Sequence, residues 1–112
     1  MIYRILATSE PLQEQSFRLF GYNLRFTLRY NAVGANWNYD LFDRNAGQYI
    51  AQSFGLAVNA PSLIGKKLPF VVVLDDTSRL GINSTGQSDM GSRLQVLFMD
   101  KDTYHEAIRS SD

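Results

Sequence analysis

The chain has no cysteine and a single histidine, His105. Without thiols there is no disulfide framework, no thiolate nucleophile and no cysteine metal site. With one histidine, transition-metal centres and most nucleophilic triads fall away as well. Charge of neither sign is in excess, since eleven Lys and Arg balance eleven Asp and Glu over 112 residues. That balance argues against a protein held to nucleic acid mainly by phosphate neutralisation. It gives little colloidal repulsion, which suits a subunit that ends up in an assembly. No apolar run approaches the roughly 20 residues that a membrane span requires. The N-terminus lacks the charged, apolar and small-residue regions of a secretory signal, and the lack of cysteine fits synthesis in a reducing cytoplasm. Gly81, Gly86 and Gly91 lie outside any strand-to-helix frame, so no phosphate-binding loop is present. There is no internal repeat and no low-complexity tract.

What the chain does have is aromatic residues, fourteen in all, many of them in alternating runs. From Tyr22 to Tyr30 the apolar residues Tyr22, Leu24, Phe26, Leu28 and Tyr30 alternate with Asn23, Arg25, Thr27 and Arg29. This is the period of a strand with one face buried and one wet. Trp37, Tyr39 and Leu41 resume the pattern after a break at residues 31–36, with Phe42 out of phase. The two runs form an antiparallel hairpin whose register follows from the pattern. Tyr30 opposite Trp37, Leu28 opposite Tyr39 and Phe26 opposite Leu41 bring apolar residues together on one face, whereas a one-residue slip exposes a whole set. On the other face Thr27 then faces Asp40, with Arg25 and Arg29 both diagonal to it, giving ion pairs of at most about 1 kcal/mol each.

The rest of the chain reads as more short strands. Met1 to Ala7 is β-prone, and Gln13 to Phe20 puts Phe17 and Leu19 on one side and Ser16 and Arg18 on the other. Gly21 marks a tight turn or a bulge, and Gly47 a turn with positive φ. Gln48 to Phe54 continues the hairpin into a three-stranded meander. Gly55 to Lys67 is apolar but aperiodic and contains Pro61, which excludes a central strand. Phe70 to Leu74 is a buried strand, Asp75 to Gly91 a long segment without periodicity, and Arg93 to Met99 a last alternating strand. A short helix follows, with Asp102 or Thr103 as its cap and Glu106 in the capping-box position after Thr103. The fold class is therefore all-β, a single domain over residues 1–112: a small antiparallel barrel or sandwich of six to seven strands with a short C-terminal helix.

Candidate chemistry is sparse. Asp75, Asp76 and Asp89 suggest a carboxylate metal site, but no calcium-loop spacing is present and strand-end turns explain them better. His105 belongs to a solvated turn of helix. Arg18, Arg25 and Arg29 interleave with Tyr22, Phe26 and Tyr30, as in a small barrel of the OB type that binds single-stranded nucleic acid. Alternation sends the arginines and the rings to opposite faces, however, whereas a stacking platform needs both on one. Trp37 reads as core, not as an exposed anchor. No catalytic constellation can be built.

Three stretches together resemble the baseplate plug family of contractile-tailed bacteriophages. They are the alternating strand from Leu24 through a Gly-containing turn to Trp37-Asn-Tyr-Asp-Leu, then Leu56-Ala-Val58 with Ser62-Leu-Ile-Gly65, and then Asp89-Met-Gly-Ser-Arg-Leu94. The resemblance spans residues 15–99 in order. It implies a structural, non-enzymatic virion subunit without catalytic residues, metal or cofactor, made in the bacterial host cytoplasm. The subunit would sit centrally in the tail baseplate near the junction of tube, hub and spike. It would form a ring or trimer and contact hub, tail tube, spike or wedge proteins, with no membrane or nucleic-acid partner. The expected mechanism is adhesion through the two irregular segments, with Leu56, Val58, Leu63, Ile64, Leu80 and Ile82 as apolar contacts and Arg79 and Arg93 as polar anchors. The competing expectation is the OB-like single-strand binder.

Overall fold

The hairpin lies at the centre of a four-stranded antiparallel sheet. In the computed structural model, which describes residues 1–58, 60–77 and 87–110, strands β2 (Leu12–Leu19), β3 (Tyr22–Asn31), β4 (Asn36–Asp43) and β5 (Gln48–Gly55) follow one another as a meander. The meander is one strand longer than the sequence pattern predicts, because the Phe17 strand joins it. Its register is the expected one: Tyr30 pairs with Trp37, Leu28 with Tyr39, Phe26 with Leu41 and Thr27 with Asp40. Gly21 belongs to a two-residue turn with Phe20, both at positive φ (54° and 79°), which closes β2 onto β3 between Leu19 and Tyr22. The left-handed conformation of Phe20 is offset by its ring, which stacks on Phe70 at 5.5 Å and meets Tyr3 edge-on at 5.5 Å.

A second sheet of three antiparallel strands, in the order β1–β7–β6, comprises β1 (Ile2–Ile5), β6 (Phe70–Asp76) and β7 (Leu94–Asp100). The two sheets face each other, and the core lies between them. Phe98 of the second sheet is at its centre, in ring contact with Phe17 and Phe26 of the first sheet and with Phe70 of its own, at centroid distances of 5.4–5.8 Å. Trp37, Tyr39, Phe26, Phe70 and Phe98 are all fully buried. The arrangement is a sandwich of seven strands among the described residues, and the sheets do not close into a barrel.

Residues 56–68 form a strap across one open side of the sandwich. Leu56 N–H donates to Trp37 in the first sheet, and Ser62 exchanges two backbone bonds with Val72 in the second (2.7 and 3.1 Å). Val58 bridges to Leu74. The Tyr39 hydroxyl hydrogen-bonds Ser62, and burial pushes the Tyr39 phenol up to about 12. The aperiodic apolar residues of the strap thus have a purpose: Leu56, Val58 and Leu63 fill the seam between the sheets and belong to the core.

The terminal helix α1 (Lys101–Ser110) begins one residue after β7 and lies against β6 and β7 on the outer face of the second sheet. It accounts for the burial of Val71 and Met99, which pair across that face, away from the main core. Its N-cap is Asp100 and not Asp102 or Thr103. Hydrogen bonds from the Thr103 hydroxyl, the N-terminal ammonium and the Thr103 backbone N–H hold the Asp100 carboxyl below its usual range. The chain enters the helix directly from the strand, so the cap lies further upstream than local composition suggests.

On the wet face of the first sheet only one of the two expected ion pairs to Asp40 forms. Arg29 makes a bidentate contact with Asp40, at 2.7 and 2.8 Å. Arg25 turns toward Glu14 at 3.5 Å and stacks over Phe42 at 4.6 Å. Asp40 has a second task. β5 carries a bulge between Ala51 and Phe54, with Ser53 at φ 52°, and Asp40 accepts the Ser53 N–H that the bulge frees, at 2.7 Å. The Arg29 hydrogen bond, with help from Ser53, holds the Asp40 carboxyl below its ordinary value.

Two outcomes follow. Phe98→Ala lowers stability by about 3–5 kcal/mol, through lost transfer energy and the cavity left behind; the check is a reduced denaturant midpoint at unchanged slope. Asp40→Asn lowers stability by about 1 kcal/mol, since the pair is partly exposed and partly screened. The pKa of Asp40 is lower folded than unfolded, so its contribution is complete above roughly pH 4 and is lost as pH falls through the folded-state value. Melting curves of the wild type and Asp40→Asn therefore converge as pH drops from 5 to 2, and curves that stay parallel rule this out.

Candidate interaction surfaces

The long connection between β6 and β7 is anchored at both feet by one arginine. Arg93 reaches Asp76, the last residue of β6, at 3.1 Å, and Asp89 in the 3-10 turn Gln87–Asp89 at 3.3 Å. The Arg93 carbonyl accepts the backbone N–H and the hydroxyl of Thr77, at 2.6 and 3.0 Å. Asp76 is only 4% exposed, so its charge depends on this partner. The far foot is tied to the β1–β2 connection, where Gln87 donates to the Ser9 carbonyl at 3.0 Å. Gly91, at φ 83°, passes so close that a Cβ would lie 2.7 Å from the Ala7 carbonyl oxygen. A groove of about 230 Å³, lined by Arg4 to Ala7, Thr77, Gly91, Ser92, Leu94 and Gln95, opens at this end.

The contact residues expected from the sequence divide four ways. Leu56, Val58 and Leu63 are 5–6% exposed and cannot serve as outward apolar anchors in this conformation, because the seam between the sheets takes their side chains. Ile64, next to them on the strap, is 40% exposed and available. Arg93 points into the domain and holds the loop feet. Arg79, Leu80 and Ile82 lie outside the described residues.

Two surfaces went unread in the sequence. Phe42 lies on the outer face of the first sheet, edge-on to the exposed Tyr49 at 4.9 Å and beneath Arg25. Its position out of phase with Trp37, Tyr39 and Leu41 was the signal. The second surface is the open side of the sandwich opposite the strap, between edge strands β1 and β2. Leu6 is 77% exposed there, and Ile2 and Leu12, on the outward faces of the two edge strands, are also more than half exposed. Leu12 shares a face with Glu14, Ser16 and Arg18, an apolar residue on a polar side.

The candidate reactive groups do not converge. Asp75 bonds Gln95 on the outer face of the second sheet, at 2.8 Å, whereas Asp76 and Asp89 meet at Arg93. Among the described residues no three His, Asp or Glu side chains gather where a metal ion could be held. His105 is exposed on α1, beside Tyr104. The interleaved arginines and rings of β3 separate as alternation requires: Phe26 is in the core, and Arg25 and Arg29 are engaged by Glu14 and Asp40. On the outer face of the first sheet the rings beside a cation are Phe42 of β4 and Tyr49 of β5, next to Arg25, and not the rings of β3.

None of the curated proteins matches the chain. Residues 1–101 match the family model described as cyanophage baseplate Pam3 plug gp18. That span takes in all seven strands and both loop feet. The chain therefore belongs to the phage baseplate plug family, and it is a structural subunit of the viral tail baseplate.

Proposed function

We propose that the chain acts as one β-domain that works by adhesion and not by catalysis. Its place is the centre of the baseplate, near the junction of tube, hub and spike, where copies gather as a ring or trimer. The observation that carries this reading is the clamp at the loop feet. Arg93 and its two carboxylates, with Gln87 on Ser9, hold both ends of the 77–91 connection rigidly against the domain. Fixing the two ends in advance lowers what a contact made by the connection must spend on ordering them, which is how preorganisation favours binding. In this reading Arg79, Leu80 and Ile82 make the contacts, and Ile64 on the strap adds a second one. Leu56, Val58 and Leu63 contribute indirectly, by fixing the strap that carries Ile64.

The experiment replaces residues 78–86 with a short Gly-Ser turn, leaving Thr77, Gln87 and Asp89 in place. The isolated variant keeps the wild-type circular dichroism and melts within a few degrees of it. In phage particles complemented with the variant, its amount per tail falls at least tenfold. Wild-type incorporation of a folded variant overturns the proposal.

A further inference from the structure

The described residues leave four sheet edges, and three are guarded. The strap covers β6 through the Val58 and Ser62 bridges. A bulge at Ser53 breaks β5. β2 follows Pro11 and carries Glu14 and Arg18. Bulges, proline and charge are the usual means of blocking unwanted strand pairing. β1, Ile2-Tyr3-Arg4-Ile5, carries the single charge of Arg4 and, among the described residues, has no bulge, no proline and no strand on its outer side.

The hydrogen-bonding phase of β1 can be read from its neighbour. Asp100 N–H donates to the Met1 carbonyl, and the register pairs Tyr3 with Phe98 and Ile5 with Val96. In an antiparallel ladder bonded pairs alternate with non-bonded ones, so Tyr3 and Ile5 bond inward. The N–H and C=O of Ile2 and Arg4 then point away from the sheet. The next outward carbonyl, that of Leu6, is taken by the Gln15 side chain at 2.8 Å. Gln15 thereby closes one end of the free edge and leaves a slot two residue pairs long.

The slot borders an apolar groove. Tyr3, Ile5 and Leu6 line one wall, Phe17 and Leu19 the other, with Gln15 at the end, around a volume of about 260 Å³. Arg4 borders it on the β1 side and makes no ion pair among the described residues. The nearest acid on β2, Glu14, is paired with Arg25.

We infer that β1 is a strand-addition site, and that its occupant is an extended segment of a different baseplate subunit. That segment carries apolar side chains at every second position, which enter the groove, and a carboxylate at a position between them, which meets Arg4. Main-chain bonds to Ile2 and Arg4 give the register, and the groove gives specificity. Charge excludes the simplest self-pairing. Two β1 strands laid antiparallel bring their Arg4 side chains directly opposite or diagonal, within about 8 Å, where like charges repel. This inference rests on the baseplate reading and names one contact within it, separate from the 77–91 connection.

The test uses Arg4→Pro, which deletes an outward N–H and blocks a strand from docking without removing any ladder bond to β7. Arg4→Ala keeps the N–H and removes only the charge. The folded Arg4→Pro chain is expected at one tenth or less of the wild-type amount per purified tail, and Arg4→Ala at an intermediate level. Should Arg4→Pro fail to fold, hydrogen exchange of residues 1–9 in the wild-type chain decides. It slows at least tenfold in purified tails relative to the free protein. A folded Arg4→Pro chain incorporated at wild-type levels, or unchanged exchange in tails, overturns the inference. So does a disulfide-linked homodimer of Arg4→Cys in tails, which assigns the edge to a second copy. Absence of the wild-type chain from purified tails defeats the baseplate reading itself, whereas its presence with β1 unprotected defeats only this contact.

Discussion

The structure depends on one constraint: two sheets, each able to bury only one face, must bury them against each other. The ring cluster around Phe98 is where they do so. Phe17 and Phe26 come from the meander, Phe70 and Phe98 from the three-stranded sheet, and each ring touches a ring across the gap, Phe70 meeting Tyr22. Edge-on and tilted contacts predominate, the geometry that aromatic quadrupoles favour. Other features follow from this arrangement. Phe20 sits in a strained turn because its ring closes the end of the cluster. The strap crosses where it does because the seam on that side is apolar and otherwise open to water.

The two sides of the sandwich are treated differently. On one side the chain supplies its own cover through residues 56–68, with Leu56, Val58 and Leu63 inside and a backbone ladder to Val72. On the other, β1 and β2 face each other across a groove without a strap, with apolar residues exposed on both lips. An assembly protein needs such an asymmetry. A domain sealed on every side folds well and joins nothing, and one open on every side aggregates. The polar clamp of Arg93, Asp76 and Asp89 adds definition at one end. It holds the feet of the longest connection by pairing Arg93 with the buried carboxylate of Asp76 and the partly exposed one of Asp89.

Much of this was legible in residue order. The alternation from Tyr22 to Leu41 specified the hairpin register, because any slip would have put Phe26 or Tyr39 in water. The buried run at Phe70 and the alternation at Leu94, Val96 and Phe98 named the strands of the second sheet. The aperiodic stretch at residues 55–67 was different. Its leucines and valines had no period because they fill a seam from a strap, and a seam has no lattice to impose one. From sequence they were indistinguishable from exposed contact residues. Arg93 posed the same difficulty, since its partners are 17 and 4 residues away and only the fold brings both carboxylates to it. The family resemblance, carried by stretches within residues 15–99, agrees with the family match over 1–101.

What the sequence determined by itself was the set of strands, which face of each is apolar, and the pairing within the hairpin. These are properties of period and of near neighbours, and alternation encodes them directly. Only the tertiary structure decided which sheet each strand joined, that the aperiodic apolar segment faces inward, that Asp100 caps the helix, and which edge has no strand beside it among the described residues. The reason is physical. An edge is free or covered according to what long-range packing brings beside it, and no local pattern in Ile2-Tyr3-Arg4-Ile5 records that the strap went to the opposite side.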